Sequence, residues 1–202
     1  MYLDTRGLVT TGIGNLIDPV RLALGLPFQF KSTNRHGIVS GRMATRDEIE
    51  SEWKYLKDHP NRASFIRLGA RTIEPHTSLE LSAANRQTLF LNKSNSNERQ
   101  LRTHFSEYDS WPADAQLALM AMAWGLGPGF PNTWPNFAKA CRARDFDAAA
   151  ANSHIRSWRS ERNVASVQLF SNAACVLRNP KEYSLDVLYY PILVLDALAI
   201  SV

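Results

Sequence analysis

The stretch that most constrains this chain is the apolar run from Ala113 to Trp124, closed by Gly125-Leu126-Gly127-Pro128-Gly129. Ser110 and Pro112 ahead of it are helix-start signals, and Leu117, Met120, Ala121 and Trp124 fall on one face at helical spacing. A helix this apolar must be buried and needs other elements packed around it. The run therefore predicts a central buried helix, with a mainly helical lobe built about it.

Helix signals elsewhere agree. Thr45-Arg46-Asp47-Glu48 forms a capping box, with Ile49, Trp53 and Leu56 following at helical spacing until Pro60 stops the run. A further helix is expected after a Ser82 cap to about Lys93, and another carries Leu101, Phe105 and Tyr108, with Asn92 to Asn97 as polar linker. Shorter helices fit Pro135 to Arg142, Phe146 to Ser157, and Val164 to Asn172 after an Asn163 cap. At the N-terminus, Tyr2 to Asp4, a turn at Arg6-Gly7, and Leu8 to Ile13 read as a β hairpin, followed by an irregular Gly- and Pro-marked loop through Gly25, Pro27, Gly37 and Gly41. The fold class expected is α+β with helix dominating, in one domain of 202 residues. Within it lie a hairpin (1–16), a loop-and-helix region (17–110), a helical lobe (111–182) and a closing tail (183–202).

Composition narrows the function classes. Lys and Arg outnumber Asp and Glu by 23 to 19, a balance that suits an acidic polymer without choosing among nucleic acid, lipid surface and cell wall. The basic residues are scattered and carry no nucleic-acid-binding motif, so no nucleic-acid partner is expected. Val187 to Val202 is apolar, but it is short and interrupted by Pro191 and Asp196, which argues for a packed tail rather than a membrane span. Met1 to Asn15 has no basic and apolar leader pattern. Cys141 and Cys175 sit among apolar neighbours and are expected as buried free thiols, although a single bridge in an oxidising compartment is the alternative. The five histidines show no metal-binding spacing, and no metal or organic cofactor is expected.

Two residues of the hairpin are candidates for chemistry. Asp4 ends one strand and Thr10 lies on the other, so carboxylate and hydroxyl can converge on one side and hold a water. The plainer alternative is that Asp4 caps the Thr5-Arg6-Gly7 turn and Thr10 is a strand former. Gly12-Ile13-Gly14 lacks the third glycine and the Lys-Ser/Thr pair of a phosphate loop. Trp53, Trp111 and Trp134 suit sugar stacking, but helical spacing favours core packing for each. Arg156, Arg159 and Arg162 form a basic run that suits either a solvated helix end or an anion.

The segment Tyr2-Leu3-Asp4-Thr5-Arg6-Gly7-Leu8-Val9-Thr10-Thr11-Gly12-Ile13-Gly14-Asn15-Leu16 resembles the hairpin of phage-type lysozymes, in which Tyr-x-Asp-x-x-Gly precedes Thr-x-Gly-x-Gly-His. Met120 to Ala150 resembles the same family's central helix and its successor, with Trp124 at an aromatic cleft position, Gly127 at a helix-ending glycine, and Asn152 and Trp158 in register. Arg162-Asn163 with Leu169-Phe170 and Asn172-Ala173, together with Leu26-Pro27-Phe28, is similar to a branch found in phage-like particles and secreted antibacterial effectors. Residues 30 to 110 are resembled only weakly.

The resemblance implies a lysozyme-like fold and a muramidase that hydrolyses the bond between N-acetylmuramic acid and N-acetylglucosamine in peptidoglycan. It implies that Asp4 activates the attacking water with help from Thr10, by an inverting displacement, while Leu16, Trp124 and Asn152 line the saccharide cleft. Asn15 stands where the family has histidine. The family's general-acid glutamate lies upstream of Tyr2, where this sequence has only Met1, so the acid is expected from residues ahead of Met1; Glu48, Glu52 and Glu74 are internal alternatives. The implied context is a monomeric lytic enzyme or antibacterial toxin of bacterial or phage origin, made in the cytoplasm and acting on the cell wall. A phage or secretion-assembly partner or an immunity protein would fit that context. A non-catalytic peptidoglycan-binding or structural module is the competing expectation.

Overall fold

The computed structural model describes residues 1–32, 34 and 36–191. Helices outweigh strands, as expected, and the strands form two small antiparallel sheets. The chain divides into two compact units, Met1–Lys93 and Ser94–Val202.

In the first unit, β1 (Tyr2–Leu3), β2 (Val9–Thr11) and β3 (Asn15–Leu16) pair in that order. The expected hairpin is thus a three-stranded meander, because Gly12 and Gly14 take φ of +55° and +78° and reverse the chain a second time. Leu3, Val9 and Ile17 face inward and join a core containing Phe28, Phe30, Ile49, Leu56, Phe65 and Leu79. The expected irregular loop contains β4 (Phe28–Phe30), which pairs with β5 (Leu79–Leu81) in register Phe28 to Leu81 and Phe30 to Leu79. In both strands the outer two residues are buried and the middle one is not, so each strand contributes one apolar face.

Helix α1 (Arg46–Asp58) starts where the capping box placed it: Glu48 N–H donates to Thr45 Oγ1 and Thr45 N–H donates to Glu48 Oε2. Two short helices unseen in the sequence follow, α2 (Arg62–Leu68) and α3 (Ala70–Ile73), separated by Gly69 at φ +81°. Helix α4 (Ala83–His104) runs unbroken through the expected polar linker. Asn and Ser there cost only tenths of a kcal/mol each relative to better helix formers, and no Gly or Pro interrupts the ladder.

In the second unit, α5 (Ala113–Leu126) is the central apolar helix and ends at Gly127 with φ +86°. Ala115, Ala118, Leu119, Met122 and Ala123 are buried in a core with Phe105, Trp111, Phe137, Phe146 and Phe170. Helix α6 (Pro135–Arg142) matches its expected span, whereas α7 (Phe146–Ala151) stops earlier than Ser157. Helix α8 (Ser160–Arg178) begins earlier and ends later than expected. Asn163 is therefore not its cap: it lies in the first turn, with Oδ1 accepting from Ile155 N–H and Nδ2 donating to Ile155 O, and so fixes the loop after α7. The tail to Pro191 is held by Ala113 N–H to Leu185 O, Tyr189 N–H to Asp114 Oδ2, and Gln168 Nε2 to Pro191 O. The rest of the expected closing segment, 192–202, lies outside the described residues. No helix among the described residues is long and apolar enough to cross a membrane. Both cysteines are free; Cys141 is buried, as expected, whereas Cys175 is only half-buried.

Candidate functional site

The meander positions the expected water-handling pair. Its register sets Tyr2 opposite Thr10, and Thr10 opposite Leu16, so these three side chains form a row on the face away from Leu3 and Val9. Asp4 N–H donates to Leu8 O at 2.9 Å, which extends the same register by one pair and puts Asp4 on that face too. Asp4 and Thr10 are therefore diagonal neighbours, with Cα atoms about 7–8 Å apart.

The Asp4 carboxylate also has a structural task. Its Oδ1 accepts from Arg6 N–H and Leu8 N–H, both at 2.9 Å, and its carbonyl accepts from Gly7 N–H. These bonds are the turn-capping role expected as the alternative to catalysis. Oδ2 accepts no hydrogen bond among the described residues. Thr10 is buried, and its hydroxyl donates to Leu8 O at 3.3 Å, leaving its lone pairs free to accept.

The turn is clamped from outside. Lys57 Nζ and Arg62 Nη2 both donate to Gly7 O, and Lys57 bridges to Asp18 Oδ2 at 2.7 Å. Burial alone would push the Asp18 carboxyl up, but the Lys57 ammonium and the Val9 N–H that Asp18 accepts outweigh it and hold the carboxyl below its ordinary value. Gly7 sits at φ +72°, a conformation that strains a residue with a side chain, and an added Cβ would crowd the Arg62 guanidinium at 2.6 Å, so this position favours glycine. Tyr2 completes the row: its hydroxyl accepts from Gly14 N–H at 3.1 Å. Burial and the charge of Asp4 raise its pKa against the opposing Gly14 bond, which keeps it neutral.

Leu16 is exposed on β3. Asn15 lies opposite Thr11 on the inward side, buried, and its Nδ2 has no hydrogen-bond partner among the described residues. Trp124 on α5 is half-buried. Asn152 ends α7, exposed, with Nδ2 donating to Ala148 O at 2.8 Å. Asp4, Thr10 and Leu16 thus belong to the first unit, and Trp124 and Asn152 to the second.

Of the tryptophans weighed for sugar stacking, Trp53 donates to Ile17 O and Trp111 is buried among Phe105, Tyr108 and Phe146. Trp134 differs. It lines a shallow cavity of about 210 Å³ together with Asn152. Helical spacing had pointed to core packing, and Trp134 does pack on Phe137, but its place just ahead of Pro135 leaves it half-buried.

Neither Glu48 nor Glu52 is idle. Both line a cavity of about 250 Å³ beside α1, but Glu48 pairs with Arg42 and caps the helix, while buried Glu52 accepts from Ser78 N–H at 2.6 Å and from Leu79 N–H. Glu74 accepts Lys31 Nζ on its backbone carbonyl. In the basic run, Arg162 stacks on Trp158 at 3.6 Å and donates to Ala121 O. Among the described residues, no group of three or more His, Cys, Asp or Glu is placed to hold a metal ion.

Compared with known proteins, the chain matches no family model, no curated protein and no solved structure.

Proposed function

We propose that this protein is a lysozyme-like muramidase that hydrolyses the bond between N-acetylmuramic acid and N-acetylglucosamine in bacterial peptidoglycan. The observation that carries the proposal is the meander itself. Gly7, Gly12 and Gly14, the glycines of the hairpin motif, all take left-handed backbone conformations, and the resulting register sets Asp4 and Thr10 as diagonal neighbours on one face. A carboxylate oxygen without a donor among the described residues and a hydroxyl with lone pairs to spare, at this spacing, suit one water between them.

In this reading Asp4 Oδ2 takes a proton from that water as it attacks the anomeric carbon. Thr10 Oγ1 accepts its other hydrogen and fixes its direction. Attack from the face opposite the leaving oxygen inverts the anomeric centre as the glycosidic C–O bond breaks, and the leaving oxygen takes its proton from a separate general acid, a role that neither Asp4 nor Thr10 fills. Leu16, Trp124 and Asn152 are the proposed glycan contacts.

Asp4→Asn separates the two tasks of this residue, because an amide oxygen still caps the turn while the charge that activates water is gone. The chain, as its gene encodes it, is incubated with purified sacculi and the release of reducing ends is followed. Asp4→Asn and Thr10→Ala are expected to lose about 100-fold or more in rate with the fold intact. A folded Asp4→Asn protein with undiminished release would overturn the assignment. The turn-capping bonds of Asp4 favour one other reading, a module that binds glycan without cutting it. Sacculus binding with no reducing ends released, and unchanged in Asp4→Asn, is its expected result.

A further inference from the structure

The second unit carries a cavity whose lining fits one class of ligand. It is formed by Thr133, Trp134, Pro135, Asn136, Phe137 and Asn152. None of these side chains ionises, so the lining offers no ion-pairing partner to a phosphate, a carboxylate or an amine. What the lining offers is an indole and a pyrrolidine ring beside two primary amides. A pyranose matches this, having a C–H face that packs on an aromatic ring and an edge of groups that both donate and accept.

The geometry is held from beneath. Trp134 immediately precedes α6, with Pro135 as the first helical residue, and its ring meets Phe137 edge-on with centroids 6.4 Å apart. Phe137 is itself locked against Phe130 and Phe170 in the core. The indole is therefore a pre-positioned platform rather than a free surface side chain. Thr133 spends its hydroxyl on Phe130 O, and Asn152 spends one amide N–H on Ala148 O. The Asn136 amide, which makes no protein hydrogen bond among the described residues, and the remaining N–H and carbonyl of Asn152 are left to meet a ligand.

We infer that Trp134, with Asn136 and Asn152, forms a subsite for a neutral N-acetylhexosamine residue of a glycan strand. The ring stacks on the indole, and the acetamido group or a neighbouring hydroxyl bonds the two amides. This deepens the glycan reading above and rests on it for the choice of an N-acetylated sugar. It adds Trp134 and Asn136 to the proposed contacts.

The test uses chitotetraose, a neutral N-acetylglucosamine oligomer, titrated into the ¹⁵N-labelled protein, with Kd measured calorimetrically. The expected result is a saturable shift of the Trp134 indole N–H and the Asn136 amide. Trp134→Ala is expected to weaken binding roughly tenfold, and Trp134→Phe less. Because Trp134 touches the core, Asn136→Asp provides a second variant. It is exposed, nearly isosteric, and places a favourable charge in the first turn of α6, so it folds, yet it puts an anion in the neutral cavity and is expected to weaken binding several-fold. The inference is overturned if the Trp134 and Asn136 signals do not move at saturating sugar, or if Trp134→Phe and Asn136→Asp both keep the wild-type Kd. Saturable binding here without release of reducing ends from sacculi would sustain the subsite and fail the hydrolase. Release of reducing ends with Kd unchanged in both variants would do the reverse.

Discussion

Asp114→Ala is the substitution whose cost the structure fixes most closely. Asp114 is fully buried at the start of α5; its Oδ1 accepts Asn172 Nδ2 from α8 at 2.8 Å and its Oδ2 accepts Tyr189 N–H from the tail at 2.9 Å. A hydrogen bond contributes about 0.5–1.5 kcal/mol net, and a further ~1–3 kcal/mol is lost when the abandoned partner cannot reach water. Tyr189 is half-buried on an otherwise exposed segment, so water can replace its acceptor. Asn172 has no such exit: it is 1% exposed and its Oδ1 already lacks a hydrogen-bond partner among the described residues. The expected loss is therefore about 3 kcal/mol, most of it on the Asn172 side. Asp114→Asn, which keeps one acceptor, is expected to lose less. Urea unfolding followed by circular dichroism measures the change, and limited proteolysis reports whether 179–191 is released with it. A midpoint within the error of wild type, or destabilisation with the tail still protected, would refute the reasoning.

Asp18 gives a pH dependence. Its carboxyl titrates below its ordinary value of 3.8 in the folded state. The Lys57 bridge therefore contributes fully above that pH and is lost as pH falls through the lower folded value. Asp18→Asn is expected to be about 1–2 kcal/mol less stable than wild type near neutrality, with the two unfolding curves converging in acid; a constant gap down to pH 2 would count against the bridge. Gly125→Ala should destabilise despite alanine's better helix propensity, because its Cβ would lie 2.6 Å from Trp158 Cζ2 and push the indole off Arg162. About 1–3 kcal/mol is expected as a lowered Tm with altered tryptophan fluorescence, and a raised Tm would disprove the contact. Burial pushes the Cys141 thiol up to about 12, so at pH 8 a thiol reagent should modify half-buried Cys175 well before Cys141. Equal rates in the native protein would be inconsistent with that packing.

What the sequence disclosed follows how local each signal was. The capping box of α1 and the apolar run of α5 are written in contiguous residues, and both helices stand where those residues placed them. The pairing of β4 with β5 joins Phe28 to Leu81 across more than fifty residues of chain, and strands this short carry no local mark that separates them from loop. Continuity of α4 was hidden because Asn92 to Asn97 has the composition of a linker, though the cost of keeping such residues helical is small. At the site, the alternation of strand residues was enough to set Asp4 and Thr10 on one face. The clamp on Gly7 O by Lys57 and Arg62 depends on helices fifty residues away, and no spacing rule would have found it. Helical spacing favours core packing for Trp134; its position immediately before Pro135 at the start of α6 is the signal that marks it as half-buried instead.

The central claim is cleavage of one particular glycosidic bond, and the chemical identity of the new chain ends tests it most directly. Sacculi digested by the protein are reduced with borohydride and hydrolysed, and the reduced sugars are separated by mass. The account predicts reduced N-acetylmuramic acid from the wild type and a large deficit of it from Asp4→Asn. Reduced N-acetylglucosamine in its place, or no new reducing ends from the folded wild-type protein, would contradict it.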